Sequence, residues 1–221
     1  MQPHPTPTAC LAPVMEALNS ANSTRDRDER ATALAIAREK ARDCLQLHAD
    51  SAEVNYIAGL VMYHSFCIEE KYEEQAKGYL EKAIDLNPQH QFARLYLGHL
   101  FYDTEAYERA LACFETVKED DFISMSQLWR VLKIHELTLC CKIYLNDPDV
   151  TTRSFELLAQ EYLGAEEEDV PIPGELVTTL ARTKGYVLWE RVDRNYVREL
   201  VIDMAKKLSF YKVLENDILT I

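Results

Sequence analysis

His99, Tyr102 and Asp103 fall within one helical turn, at i, i+3 and i+4 spacing. Residues so spaced share a face, where an imidazole, a phenol and a carboxylate could pass a proton between them. Catalysis needs more than proximity, and no nucleophile or metal-ligand cluster accompanies the three. The chain has no Gly-rich phosphate loop and no G-x-S-x-G. "HELTL", from His135, begins like the H-E-x-x-H zinc motif, but Leu139 stands where the second histidine belongs. His135 is therefore read as a core-edge histidine. Six cysteines, at 10, 44, 67, 113, 140 and 141, form no C-x-x-C pair and no zinc-ligand spacing. They are read as buried free thiols of a reducing compartment. The chain is expected to have no catalytic residues, no metal and no cofactor.

The elements that carry these residues are helical. Gly (6) and Pro (8) are too scarce among 221 residues for a fold rich in tight turns, and a 48% hydrophobic content suffices for a core. The net charge of −13 repels phosphate backbones, which argues against nucleic acid and is compatible with a basic or neutral protein partner. The start, "MQPHPTPTACLAPV", has neither the basic residues nor the apolar run of a signal peptide, and no stretch reaches the length of a membrane span. A cytoplasmic location and no membrane contact are expected. Residues 1–9 read as a flexible Pro-rich arm.

Helical order recurs. In "ARLYLGHLFYDTEAYERALACFETV" (93–117), small Gly98 and Ala110 alternate with large Leu97, Phe101, Tyr107 and Phe114. Ala110, Phe114 and Val117 each lie 34 residues after Ala76, Leu80 and Ala83, whereas Gly98 lies 39 after Gly59. The unit is thus 34 residues, with five extra in the first copy near His64 to Gln75. Small residues where two helices cross let the axes approach closely. Pro88 ends the first copy and pushes Asn87 out of the α region.

This pattern resembles the tetratricopeptide repeat (TPR) family. Leu97-Gly98, Phe101, Tyr107, Ala110, Phe114 and Val117 carry it in the second copy. Ala58-Gly59, Met62, Tyr72, Ala76, Leu80, Ala83 and Pro88 carry it in the first. The match spans about 52–122, a third of the chain. It implies an all-α, right-handed superhelical solenoid of about five antiparallel helix pairs, forming one domain over 10–221. A degenerate leading hairpin (10–50) precedes the two repeats (52–122). An irregular hairpin follows (124–163), its first helix over Ser124 to Leu145 and its second capped by Asp147 with Pro148 first. An acidic loop (164–174) and a C-terminal capping hairpin (175–221) complete the chain. In the last hairpin Asp193 caps a helix with a stripe of Val197, Leu200, Val201, Met204, Leu208 and Tyr211.

The resemblance also implies a groove lined by the first helix of each repeat, taking a peptide or protein segment. Position by position, this gives Glu53, Tyr56, Leu60, Tyr63 and His64, then Phe92, Leu95, His99, Tyr102 and Asp103. Trp129 and Lys133 join them if the register continues. The family branch that clamps carboxylate tails has Lys, Asn and Arg where this chain has Tyr56, Leu60, Leu95 and His99, so that role is not expected. A non-catalytic adaptor is the leading expectation. Alternatives are an acidic immunity protein or secretion chaperone that masks a toxin or effector, and a structural subunit forming a homodimer through residues 193–221.

Overall fold

A computed structural model describes residues 6–206, and among these every regular element is helical, with twelve α-helices and two short 3-10 turns. The chain divides into two compact units, before and after the Thr104–Glu105 bond, rather than the single domain expected over 10–221. The division falls inside the second repeat. Its first helix, α5 (Gln91–Asp103), packs on helices that precede it, and its second, α6 (Tyr107–Phe114), packs on one that follows.

The first unit opens with α1 (Pro7–Ser23) and α2 (Arg27–Leu47). Thr6 caps α1 by accepting the Ala9 N–H, and Pro7 occupies the first helical position, where no N–H is needed. The expected arm of 1–9 is therefore already helical from Pro7, while residues 1–5 lie outside the described segment. Asp26 caps α2 through two N–H bonds of 2.9 Å, from Asp28 and Glu29. Cys10 on α1 and Cys44 on α2 are joined as a disulfide, with Cα atoms 5.6 Å apart. The free-thiol expectation fails for this pair because its spacing of 34 residues says nothing of the hairpin that brings it together. Cys67, Cys113, Cys140 and Cys141 remain thiols.

Helices α3 (Ala52–Phe66) and α4 (Glu73–Leu86) form the next hairpin. Both are capped as their sequence asks: Ser51 accepts the Val54 N–H at the start of α3, and extended Asn87 before Pro88 stops α4. The five extra residues are now accounted for. Helix α3 runs seven residues beyond Gly59 where α5 runs five beyond Gly98. The following connection has six residues, including a 3-10 turn at Glu70–Tyr72, instead of three. Tyr72 in that turn lies under the Arg38 guanidinium, 4.5 Å from its ring centre.

The close approach expected at Gly59 is present, and Leu80 fills it. A β-carbon at Gly59 would lie 2.7 Å from Leu80 Cγ and 3.1 Å from the Leu80 backbone nitrogen. Ala76, one turn earlier, is fully buried. Gly59→Ala should destabilise the first unit by about 1–3 kcal/mol, since the core must shift to admit a methyl. Gly78, on the exposed side of α4, has no atom within 4 Å of the same added carbon. There alanine should gain about 0.5–1 kcal/mol through helix propensity. Urea denaturation of both variants checks the opposite signs.

In the second unit α6 is followed by α7 (Glu119–Ser124), α8 (Leu128–Tyr144), α9 (Thr152–Gly164), α10 (Gly174–Arg182), α11 (Leu188–Arg191) and α12 (Arg194–Lys206). Tyr107, opening α6, stacks on Tyr144 at 4.3 Å between ring centres. Helix α8 begins at Leu128, four residues later than expected, because Ser126 takes a left-handed conformation (φ 57°) that closes α7. Asp147 does not cap a helix. Its carboxylate accepts the Asp149 N–H in a turn, and α9 starts later, at a Thr151–Ser154 capping box. The expected helix after Gly174 breaks into α10 and α11 around Gly185. Asp193 does cap the last helix, accepting from Asn195 and Tyr196. Its stripe of Val197, Val201 and Met204 is buried, and α12 packs on α9. Leu208, Tyr211 and the remainder of 207–221 lie outside the described residues.

A buried carboxylate ties this unit together. Glu136 of α8 is fully buried; its Oε1 accepts the Leu176 N–H at the start of α10, and its Oε2 accepts the Tyr162 hydroxyl of α9 and the Lys133 ammonium at 2.7 Å. Lys133 also donates to the Ile172 carbonyl and the Glu175 carboxylate. Burial works to lower the Lys133 pKa and is outweighed by Glu136 and Glu175, which raise it.

His135, one residue earlier, faces out from α8 between two other carboxylates. Nδ1 lies 2.6 Å from Glu161 and Nε2 2.9 Å from Glu119. The Glu161 hydrogen bond leads in raising its pKa to about 9, against burial and with help from Glu119. The folded pKa lies above the unfolded value of about 6.5, so the clamp is complete below pH 6.5 and is lost as pH rises toward 9. Its partners are more than a third exposed and screened, so the loss should be about 1 kcal/mol. Thermal melts across this window should show that loss in the wild type and not in His135→Gln.

Candidate binding groove

Helices α1 and α3 each lead a hairpin, with α2 and α4, and in the first unit α3 packs on both α1 and α5. Between them lies an open groove of about 650 Å³. Helix α1 supplies Thr8, Leu11, Ala12 and Met15 as one wall. Glu53, Tyr56 and Ile57 of α3 and Phe92 of α5 supply the other. The surface is mainly apolar, and Met15 is 37% exposed at its edge.

From this groove a file of rings continues along the α3–α5 seam. Tyr56 meets His90 at 4.7 Å and Phe92 at 6.0 Å between centres, and Tyr96 at 6.2 Å. Tyr96 in turn contacts Tyr63, His64 and His99. The Tyr63 hydroxyl donates to Asp103 at 2.8 Å, and burial followed by that carboxylate raises its pKa well above the ordinary phenol value. The Tyr63 hydroxyl thus stays a donor, and Asp103 serves as its acceptor. His64 is shifted down to about 4, by burial first and the Arg30 charge second, so it is neutral near pH 7.

The residues expected to line a groove separate into three sets. Tyr56 and Phe92 line the groove found, and Tyr63, His99 and Tyr102 are half-buried farther along the same two helices. Leu60 and Leu95 are core residues, 7% and 1% exposed, because their positions on the helices turn toward the neighbouring helices instead of the groove. Trp129 is exposed but belongs to the second unit, where Arg130 lies 4.3 Å from its ring; Lys133, bound into the Glu136 network, offers no open charge.

The sequence reading omitted Tyr96 and the whole α1 wall. Tyr96 stands at i+4 from Phe92, which was a usable signal. The α1 wall carried one in the Leu11/Met15 pair, but the missing diagnostic glycine left that hairpin outside the repeat pattern.

A second cavity, of about 300 Å³, lies between α8 and α9 in the second unit, with Leu139, Val150 and Leu158 below and His135, Lys142 and Glu161 at its edge. Among the described residues no group of three or more His, Cys, Asp or Glu side chains is placed to hold a metal ion. None of the described helices is long and apolar enough to cross a membrane. No protein-family model matches the chain, and no curated protein matches it.

Proposed function

We propose that the protein is a non-catalytic adaptor of the TPR type that receives an apolar segment of a partner protein between α1, α3 and α5. The single observation that carries this reading is the mainly apolar groove lined by α1, α3 and α5. The 34-residue recurrence and the Gly59–Leu80 approach support the repeat class. Half-buried Phe92 offers an aromatic contact at low entropic cost, as binding hot spots require, while Tyr56, 8% exposed, adds only the edge of its ring. The Cys10–Cys44 bond favours an oxidising compartment over the cytoplasmic location expected from the sequence.

The test fills the groove. Ala12→Arg combined with Met15→Arg places two bulky cations on an exposed helix face without touching the core. The partner complex should survive a few hundred millimolar salt, because apolar contact is not screened, and should be lost in the double variant. A complex that dissolves in salt and ignores the double variant would instead favour charge-based masking by the acidic surface.

A further inference from the structure

The structure points to the chemistry of the segment the groove takes, an inference that rests on the groove reading above. We infer that this segment carries a Lys or Arg beside its apolar residues, and that Glu53 is the counter-charge. Among the described residues lining the groove, Glu53 is the one carboxylate, and no Lys, Arg or His stands with it in the lining. It is 58% exposed, and among the described residues its partner is His90. That partner donates one hydrogen bond. The Ala93 N–H donates to His90 Nδ1 at 3.2 Å, so Nδ1 is the acceptor and Nε2 carries the hydrogen it gives to Glu53 Oε2. The ring so held fixes one carboxylate oxygen and leaves the rest of the exposed carboxylate, in the first turn of α3, open toward the groove.

An anionic segment would bring a like charge against this carboxylate, which opposes binding. A wholly apolar segment would cover part of the carboxylate's hydration and return nothing. A cationic side chain with a long methylene stem satisfies both surfaces, lying along Phe92 or Met15 while its head reaches Glu53.

The experiment pans a phage-displayed library of random twelve-residue peptides on the full chain, on Glu53→Lys, and on the Ala12→Arg/Met15→Arg variant. The wild type should enrich peptides that join apolar residues with Lys or Arg. Glu53→Lys should reverse the preference to Asp or Glu. A synthetic peptide chosen on the wild type should bind Glu53→Gln about three- to fivefold more weakly. A general bias from the net charge of −13 would survive Glu53→Lys, so reversal isolates this one carboxylate. Apolar peptides enriched alike on the wild type and Glu53→Lys, and lost on the double arginine variant, overturn the cation while the groove stands. No enrichment, or enrichment indifferent to the double variant, removes the groove reading and this inference with it.

Discussion

Replacing Glu136 with alanine is expected to cost the second unit about 3–5 kcal/mol, the range for breaking a buried ion pair from one side. The change takes an acceptor from three donors and strands two of them. The Leu176 N–H loses its acceptor at the start of α10, where Pro173 offers no side-chain cap, and the Tyr162 hydroxyl is left in a fully buried position. Lys133 keeps Glu175 and the Ile172 carbonyl but loses its most buried partner. Tyr162→Phe removes one donor and should cost about 1 kcal/mol. Glu136→Gln keeps an acceptor for Leu176 and should fall between the two. Urea denaturation of the three variants gives the order, and a glutamine variant as stable as the wild type would show that the charge contributes nothing.

Loss of the Cys10–Cys44 bond is expected to cost the first unit about 3–4 kcal/mol, from the entropy regained by a loop of 34 residues in the unfolded chain. Thermal unfolding with and without dithiothreitol measures it. Cys10→Ser should unfold like the reduced wild type and ignore the reductant, whereas Cys67→Ser should retain the full response. A wild type indifferent to dithiothreitol would mean that the two thiols are not bonded in solution. The bond also bears on the groove, because α1 forms one whole wall. Reduction should therefore weaken peptide binding as well as stability.

Much of the first unit was legible from residue type and spacing. Gly59 marks a close helix approach, as its small size leads one to expect, although against Leu80 and not Ala76, and Asn87-Pro88 ends α4 on schedule. Asp193 caps the last helix of the second unit for the same local reason. Features resting on two or three neighbouring residues were readable because their physics is complete within a few positions. Where local signals competed, the outcome differed. Asp147 can cap a helix or close a turn with equal chemistry, and its neighbours favour the turn.

The site was only half readable. The helices carrying it followed from periodicity, and Tyr56 and Phe92 reach the groove. Leu60 and Leu95 do not, since a rotation of a few tens of degrees about the helix axis separates a groove position from a core one. No periodicity fixes that angle, because it is set by the helices packed on either side.

Sequence by itself therefore determined the helical character of the chain, the Asn87-Pro88 stop, the Asp193 cap and the tight crossing at Gly59, all consequences of contacts between residues near in the chain or repeated along it. Tertiary structure alone decided the two compact units, the Cys10–Cys44 bond, the burial of Glu136 among α8, α9 and α10, and the contribution of α1 to the groove. Each of these joins residues tens of positions apart, and a side chain's type and spacing do not encode which distant surface it will meet.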